Sequence, residues 1–495
     1  MIKLFTSEQI KAWDAFTIQE NGITSFELMQ RACRAFVAWF MERYDTSNKV
    51  CVVCGTGNNG GDGLGIALLL HEWNYRVEVF VVRGGSTSPD FDASLKLLKG
   101  KIVEKEITSS AIEINDCAVL IDALFGTGLT RQISGTYAGV IKKVNELNAI
   151  RIAVDVPSGL RIDGPSEGEI FKADHTVTFQ APKLVFLLPQ NKIYTGRCHV
   201  VDIGLSKTFE KETLANHFLV NRKSVKRLIK PRHQFSHKGN FGHALLIAGS
   251  KGKMGAAILA ARAALRAGVG LLTVHVPAHG NEILQSAVPE AMTTQDQSSE
   301  FFSDREVETF YSAVGIGPGL GQAAETFSGF EQILKQLGKP MVLDADALNM
   351  LAAKPVLLNE IPAGCILTPH PGEFKRLVGD WQDDFDKLEK LTTLARRLKA
   401  VVILKGANSA IALPDNTIYF NSTGNPGMAT GGSGDVLTGI LLALLAQGYS
   451  TNDAAIVGTF VHGLAGDLAS CEMGETSLIA SDIVNYLPAA FKRLV

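Results

Sequence analysis

Residues Gly424-Asn425-Pro426-Gly427-Met428-Ala429-Thr430-Gly431-Gly432-Ser433-Gly434-Asp435 form a glycine-dense loop running directly into the apolar stretch Val436-Leu437-Thr438-Gly439-Ile440. A loop of this kind opening into a helix leaves backbone N–H groups unpaired at the positive end of the helix dipole. That arrangement suits a phosphate or an oxyanion. Asp435 falls in the first turn, within reach of whatever those N–H groups hold, and can there take a proton from an attacking hydroxyl. A tight turn capping a buried helix would account for the glycines, but not for the carboxylate. The combination points to phosphoryl-transfer chemistry. No Walker A loop competes for that role, because Gly249-Ser250-Lys251-Gly252-Lys253-Met254 lacks both the spacing and the hydroxyl residue.

A second group of loops lies in the first half of the chain. Gly55-Thr56-Gly57-Asn58-Asn59-Gly60 matches G-x-G-x-x-G after an apolar run and before a helical pattern. The acidic residue that would meet a ribose 2′-hydroxyl about twenty positions on is missing. The next apolar run ends Val82-Arg83-Gly84-Gly85, where Arg83 suits either a 2′-phosphate or a solvated loop. This is not a plain dehydrogenase fingerprint. The loop instead continues through Asn58-Asn59-Gly60-Gly61-Asp62, rich in donors and acceptors. Ile121-Asp122 leads into Gly126-Thr127-Gly128-Leu129, and Val154-Asp155 into Val156-Pro157-Ser158-Gly159. In a parallel sheet these strand ends share one edge, where ligands bind. Asn59, Asp122 and Ser158 could supply hard oxygen ligands to a cation, with Asp155 left as a candidate acid or base. Each aspartate alone would read as a turn cap; three such loops on one edge read as a site.

The elements needed to hold these loops are legible as an α/β pattern. Thr6-Ser7-Glu8-Gln9 and Thr24-Ser25-Phe26-Glu27 have capping-box spacing, with apolar positions at helical intervals through Phe40. Short apolar runs at 50–54, 77–82, 119–122, 152–156, 176–179 and 198–203 then alternate with helical or loop stretches. Such strands belong to a helix-covered parallel sheet. A more charged stretch, 205–232, separates them from a second series at 243–248, 271–276, 313–316, 341–343, 366–368, 401–404, 411–413 and 417–420. Helices are expected at 256–267 and 435–446. No fixed-period repeat is visible, so two different α/β domains are expected, 1–218 and 219–495.

At 495 residues, 46% hydrophobic and 20% charged, the chain reads as an ordinary globular protein of two to four domains. A net charge of −2 gives no electrostatic reason to expect nucleic acid or an anionic membrane as partner. The N-terminus lacks the layout of a signal peptide, and the longest apolar run, 440–446, is too short to cross a bilayer. A cytoplasmic protein is expected. Seven cysteines, an odd number, suit a reducing compartment. Cys51 and Cys54 form a C-x-x-C, but within an apolar strand pattern they read as core residues. His233, His237 and His243 have no accompanying carboxylate or cysteine cluster and do not read as a metal site.

The loops resemble a known family. Asn58-Asn59-Gly60-Gly61-Asp62-Gly63, Phe125-Gly126-Thr127-Gly128-Leu129 and Asp155-Val156-Pro157-Ser158-Gly159 are similar to the signature loops of NAD(P)HX epimerases. His237-Lys238-Gly239, Gly317-Pro318-Gly319-Leu320-Gly321, Asp344-Ala345-Asp346-Ala347-Leu348-Asn349, Thr368-Pro369-His370-Pro371-Gly372-Glu373, Lys405-Gly406-Ala407 and Gly432-Ser433-Gly434-Asp435 resemble the ADP/ATP-dependent NAD(P)HX dehydratases of the ribokinase-like superfamily. Together they resemble the bifunctional NAD(P)H-hydrate repair family over nearly the whole chain. The resemblance implies a Rossmann-like domain followed by a ribokinase-like α/β domain. The substrates implied are NADHX and NADPHX, hydrated at C6 of the nicotinamide ring. The first domain would interconvert the R and S hydrates, and the second would dehydrate the S form at the expense of ADP or ATP with Mg2+.

By the same resemblance, Asn58, Asn59, Gly60, Gly61, Asp62, Gly126, Thr127, Gly128, Leu129, Thr130, Arg131, Gln132 and Asp155 would hold the hydrate in the first domain, with Lys183 a further pocket candidate. Asn59, Asp122 and Ser158 would bind potassium. Ala256, Gly319, His370 and Asp435 would contact the hydrate in the second domain, and Lys405, Gly406, Ala407, Asn408, Ser409 and Gly434 the nucleotide. Asn408-Ser409 departs mildly from the usual form. Asp155 and Asp435 would be the catalytic residues, and a homo-oligomer is expected. His370, between two prolines, has an equally ready structural reading. Two rivals stand beside this one: a ribokinase-like vitamin or sugar kinase, which leaves the first domain without a purpose, and a first domain that binds nucleotide without catalysis.

Overall fold

The computed structural model describes residues 1–110, 112–303, 308 and 310–495. Two compact units emerge, one made of 3–215 with 383–385, the other of 1–2, 216–382 and 386–495.

The first unit is built on a seven-stranded sheet. With β1 (Ile2–Lys3) placed in the other sheet, its strands are β2 (Lys49–Cys54), β3 (Arg76–Val82), β4 (Glu104–Ile107), β5 (Val119–Ala123), β6 (Ile150–Val154), β7 (His175–Phe179) and β8 (Arg197–Val201). They lie in the order β4-β3-β2-β5-β6-β7-β8, and every neighbouring pair is parallel. The order reverses between β2 and β5, and a crevice opens beyond the strand C-termini at such a point. Apolar residues of β2 face both ways: Val50, Val52 and Cys54 enter one core, Cys51 and Val53 the other. Cys51 and Cys54 therefore point to opposite faces of the sheet, as core residues do. Both expected capping boxes are present, opening the helices Ser7–Asn21 and Ser25–Met41.

The second sheet has eleven strands in the order β1-β9-β18-β17-β16-β15-β14-β13-β10-β11-β12. They are β9 (His217–Leu219), β10 (His243–Ile247), β11 (Leu271–Val276), β12 (Met292–Gln295), β13 (Ala313–Ile316), β14 (Met341–Leu343), β15 (Ile366–Leu367), β16 (Val401–Leu404), β17 (Ala410–Ala412) and β18 (Ile418–Phe420). From β12 to β16 the sheet is parallel. β17 pairs antiparallel with both β16 and β18. The order reverses between β10 and β13. β9 pairs with β18, so the chain enters the second unit before residue 218.

β4 and β12 carry no apolar run. Both are sheet edges of mixed polarity, Glu-Lys-Glu-Ile and Met-Thr-Thr-Gln, and half-solvated edges leave little hydrophobic signal.

The helix Ser433–Ala446 is buried at every position from Val436 to Ala446, which is why its sequence is apolar all round. It crosses the helix Met254–Arg266 so closely that a Cβ on Gly439 would lie 2.1 Å from the Ala260 carbonyl oxygen. Each leucine buried there contributes about 1.5–3 kcal/mol. The 23-residue helix Thr451–Met473 is long and apolar enough to span a bilayer, and 67% of its most apolar window is buried inside the fold.

Candidate active sites

In the first unit, the helix Asn58–Glu72 begins where β2 ends. Gly57 is its N-cap, and no side chain caps it. The N–H groups of Asn58 and Asn59 are thus left facing the crevice. The turn is tight enough that a Cβ on Gly60 would meet the Gly55 carbonyl oxygen at 2.0 Å. A cavity of about 680 Å³ lies at the sheet edge, lined by Asn58, Asn59, Asp62, 126–131, Asp155 and Lys183. The expected contacts Gly60, Gly61 and Gln132 are not on its wall. Gly61 packs toward Met29 and Phe91, and Gln132 lies against Gly168.

The three expected cation ligands converge on one turn. The Ser158 N–H and hydroxyl donate to the two Asp122 carboxylate oxygens at 2.8 and 2.7 Å. The Phe125 N–H donates to the Ser158 hydroxyl at 2.8 Å. A Cβ on the adjacent Gly126 would lie 3.2 Å from Asn59 Oδ1. Asn59 Nδ2 is buried with no hydrogen-bond partner. Burial pushes the Asp122 carboxyl up to about 6 against the hydrogen bonds from Ser158 and Leu124.

Asp155 directly follows β6 with φ +64°, a left-handed conformation uncommon outside glycine. Its Oδ1 accepts from Lys183 Nζ at 2.6 Å, the Thr178 hydroxyl at 2.9 Å and the Phe179 N–H at 3.1 Å. Lys183 is buried, and its ammonium also donates to the Thr178 hydroxyl and the Phe179 carbonyl. Two more carboxyls share the cavity. Burial, reinforced by Asp155, raises Asp14 to about 7 against the pull of Lys183. Asp62 is pushed up by burial, then by Asp155, Asp14 and Asp90.

In the second unit, Gly432 (φ +90°) is the N-cap of the helix Ser433–Ala446, again without a side-chain cap. Asp435 sits in the first turn. Burial raises it to about 7, helped by Asp344 and opposed by Lys405. Asp344 directly follows β14, is buried, and accepts from Lys405 Nζ and the Thr438 hydroxyl, each at 2.8 Å. Lys405 Nζ lies 3.9 Å from Glu373 and 3.1 Å from where a Gly434 Cβ would be. Burial pulls the Lys405 ammonium down, but Asp344 and Glu373 outweigh it, and its pKa is raised.

Gly319 packs on Ala256, with 3.0 Å between that methyl and a built Cβ. Ser409 folds back, its hydroxyl accepting from the Gly406 N–H at 3.3 Å, and Asn408 is left-handed at φ +52°. His370 is an N-cap: its Nδ1 accepts from the Gly372 and Glu373 N–H groups at 3.0 and 3.4 Å, and half of its side chain is exposed. Of His233, His237 and His243, the last bonds Thr273 and His237 caps a short turn. Among the described residues no group of three histidine, cysteine or carboxylate side chains could hold a metal.

Sequence reasoning assigned no role to Asp344, Glu373 or Asp14. Asp344 carries the signal that exposed Asp122 and Asp155, an aspartate ending an apolar run. Asp14 carries none, since it stands inside a helical pattern.

Comparison with known proteins matches both units. The family model described as NAD(P)H-hydrate dehydratase covers residues 244–489, and that described as YjeF-related protein N-terminus covers 25–185. The bifunctional NAD(P)H-hydrate repair enzyme of Moorella thermoacetica is 35% identical over 99% of this chain and 97% of its own length. That of Escherichia coli is 35% identical over 94% of this chain and 89% of its own. Among solved structures, the ADP/ATP-dependent NAD(P)H-hydrate dehydratase of Bacillus subtilis, co-crystallised with ATP and Mg2+, is 31% identical. It covers 57% of this chain and 100% of that one, with a TM-score of 0.50. With two glycine-loop sites in two α/β units and relatives matched end to end, this chain belongs to the bifunctional NAD(P)H-hydrate repair enzyme family.

Proposed function

We propose that this chain restores hydrated nicotinamide cofactors: the unit built on residues 3–215 epimerises (R)- and (S)-NADHX and NADPHX, and the unit built on residues from 216 onward dehydrates the S form using ADP or ATP. The observation that carries the reading is one chain with two separate sites. Each combines an uncapped helix start, a catalytic-type carboxylate and a lysine held by a carboxylate.

In the dehydratase, the C6 hydroxyl is a poor leaving group until it is phosphorylated. Asp435, raised to about 7, takes the hydroxyl proton as its oxygen attacks the terminal phosphoryl group. The Gly434 and Asp435 N–H groups receive the moving phosphoryl oxygens, with the Lys405 ammonium alongside. Loss of phosphate from C6 and of a proton from C5 regenerates the reduced ring. Ala256, Gly319 and His370 hold the hydrate, and Lys405 to Ser409 with Gly434 hold the nucleotide. Mg2+ accompanies the nucleotide on its phosphates.

In the epimerase, Asn58, Asn59 and Asp62 with Gly126 to Arg131, which line the cavity, hold the hydrate, while Asp155 moves a proton as the C6 stereocentre opens and recloses. Asn59, Asp122 and Ser158 hold potassium. The fit rests on Asp122, a buried carboxylate with no cationic side chain in contact among the described residues. A monovalent cation there would offset its charge and fix the Phe125-Gly126 turn. A net charge of −2 gives this proposed cytoplasmic homo-oligomer no electrostatic reason to bind nucleic acid or an anionic membrane.

Incubation with mixed R and S hydrates tests the function. Without nucleotide only their ratio should move toward equilibrium. With ADP or ATP, both should be consumed as reduced-nicotinamide absorbance and phosphate appear. Accumulation of a stable phosphorylated product would favour a kinase instead.

A further inference from the structure

Epimerisation at C6 must break a bond on one face and remake it on the other, so the first unit needs a proton carrier for each. Asp155 provides one. Its Oδ1 accepts three hydrogen bonds, which leaves Oδ2 for the cavity. Lys183 cannot be the other, because its three donors are taken by Asp155, Thr178 and the Phe179 carbonyl. It is a positioning residue. Asp62 is pushed up by burial and stands on the helix Asn58–Glu72, which opens at the sheet edge that also carries Asp155, so it does not approach from the other side.

Asp14 remains. It lines the same cavity from the helix Ser7–Asn21, whereas Asp155 approaches from the sheet edge. The turn carrying it is fixed on both sides: Trp13 Nε1 donates to the Ser206 carbonyl at 2.8 Å, and the Ser206 N–H donates to the Thr17 hydroxyl at 3.0 Å. Asp14 itself makes no hydrogen bond or ion pair among the described residues, so its carboxyl is available to a ligand.

We propose that Asp14 is the second proton-transfer group of the epimerase site, serving the face of C6 opposite to Asp155. This rests on the epimerase reading above. The protonated Asp14 gives its proton to the C6 hydroxyl. The C6–O bond breaks, water leaves, and the N1 lone pair closes an N1=C6 bond. Water then adds to the other face of C6, its proton passes to Asp155 Oδ2, and the π electrons return to N1. One proton enters and one leaves, and the opposite epimer runs the same steps in reverse. The enzyme works with a single proton shared by the two carboxyls. Asp14 titrates near neutrality, faced by Asp155 and Lys183 from the sheet edge, Asp62 and Asp90 from neighbouring helices, Arg131 from the loop and Lys11 from its own helix. Epimerisation should therefore decline as pH rises past about 7.

The test is Asp14→Asn in the full chain, with R-to-S conversion followed across neutral pH and ATP-driven removal of the S hydrate measured alongside. We expect about a hundredfold loss in kcat for epimerisation, disappearance of the alkaline decline and unchanged dehydration and melting, with Asp14→Glu recovering part of the rate. A wild-type rate and pH profile in Asp14→Asn, or a change confined to KM, overturns the proposal. If Asp155→Ala is inactive while Asp14→Asn is normal, Asp14 alone is misassigned. If the wild-type chain does not epimerise, the underlying reading falls with it.

Discussion

The two sites use the same side-chain types in opposite arrangements. In the first unit Lys183 bonds the candidate acid–base residue itself, 2.6 Å from Asp155, with only 3% of its side chain exposed. In the second, Lys405 bonds Asp344 at 2.8 Å, so its charge is already matched before Asp435 feels it. Burial together with Asp344 then carries Asp435 to about 7. A lysine in direct contact fixes a carboxylate in place; a lysine neutralised by a third group leaves the neighbouring carboxylate poised to accept a proton. The difference lies in which carboxylate reaches the ammonium first.

The largest effect should come from Asp435→Asn, lowering dehydration by about two to four orders of magnitude. Epimerisation and nucleotide binding should survive, and wild-type turnover would remove Asp435 from its role. Asp155→Ala should produce the mirror image, stopping R-to-S conversion by at least about a hundredfold while ATP-driven removal of the S hydrate continues. Spontaneous epimerisation makes an enzyme-free time course the necessary control. Conversion above that background at the wild-type rate would leave Asp155 as a turn residue.

The lysines sharpen the contrast. Lys183→Met strands a buried Asp155 and should destabilise the first unit by about 3–5 kcal/mol, read as an earlier denaturant midpoint. Lys405→Met should cost less, because 21% of that side chain is exposed. Equal losses would contradict the comparison. A smaller effect concerns pH. Asp435 acts as a base only when ionised, so saturated dehydration should rise about tenfold from pH 6 to pH 8. A flat profile would show that proton removal is not rate-limiting or that Asp435 titrates elsewhere. Least of all, His370→Asn keeps an N-cap acceptor and should change stability by less than about 1 kcal/mol. A raised KM for the S hydrate would show that its exposed ring also touches substrate.

The strands and loops that stood out in the sequence share one property: the information is contiguous. Apolar runs buried on both faces mark β2, β5 and β10 because side chains on either side of the sheet enter a core. Gly432 announces a helix start because its left-handed φ of +90° and the Leu259 side chain, 2.5 Å from where its Cβ would lie, leave no room for a side chain. The edges β4 and β12 were silent because solvent on one side relaxes that demand. His370 shows the opposite limit, since one residue in one motif serves equally as cap or as ligand.

The sequence by itself determined two α/β units, three loops on one sheet edge, and a carboxylate at the start of a buried helix, all consequences of local periodicity and backbone sterics. Only the tertiary structure decided that Lys183 is buried against Asp155, that Asp344 and not Asp435 takes Lys405, and that Asp14 faces Asp155 across a common cavity. Those pairings join residues separated by 28, 61 and over a hundred positions. Coulombic and desolvation energies depend on distance in space and on exclusion of water, and neither is encoded within the few residues of any one motif.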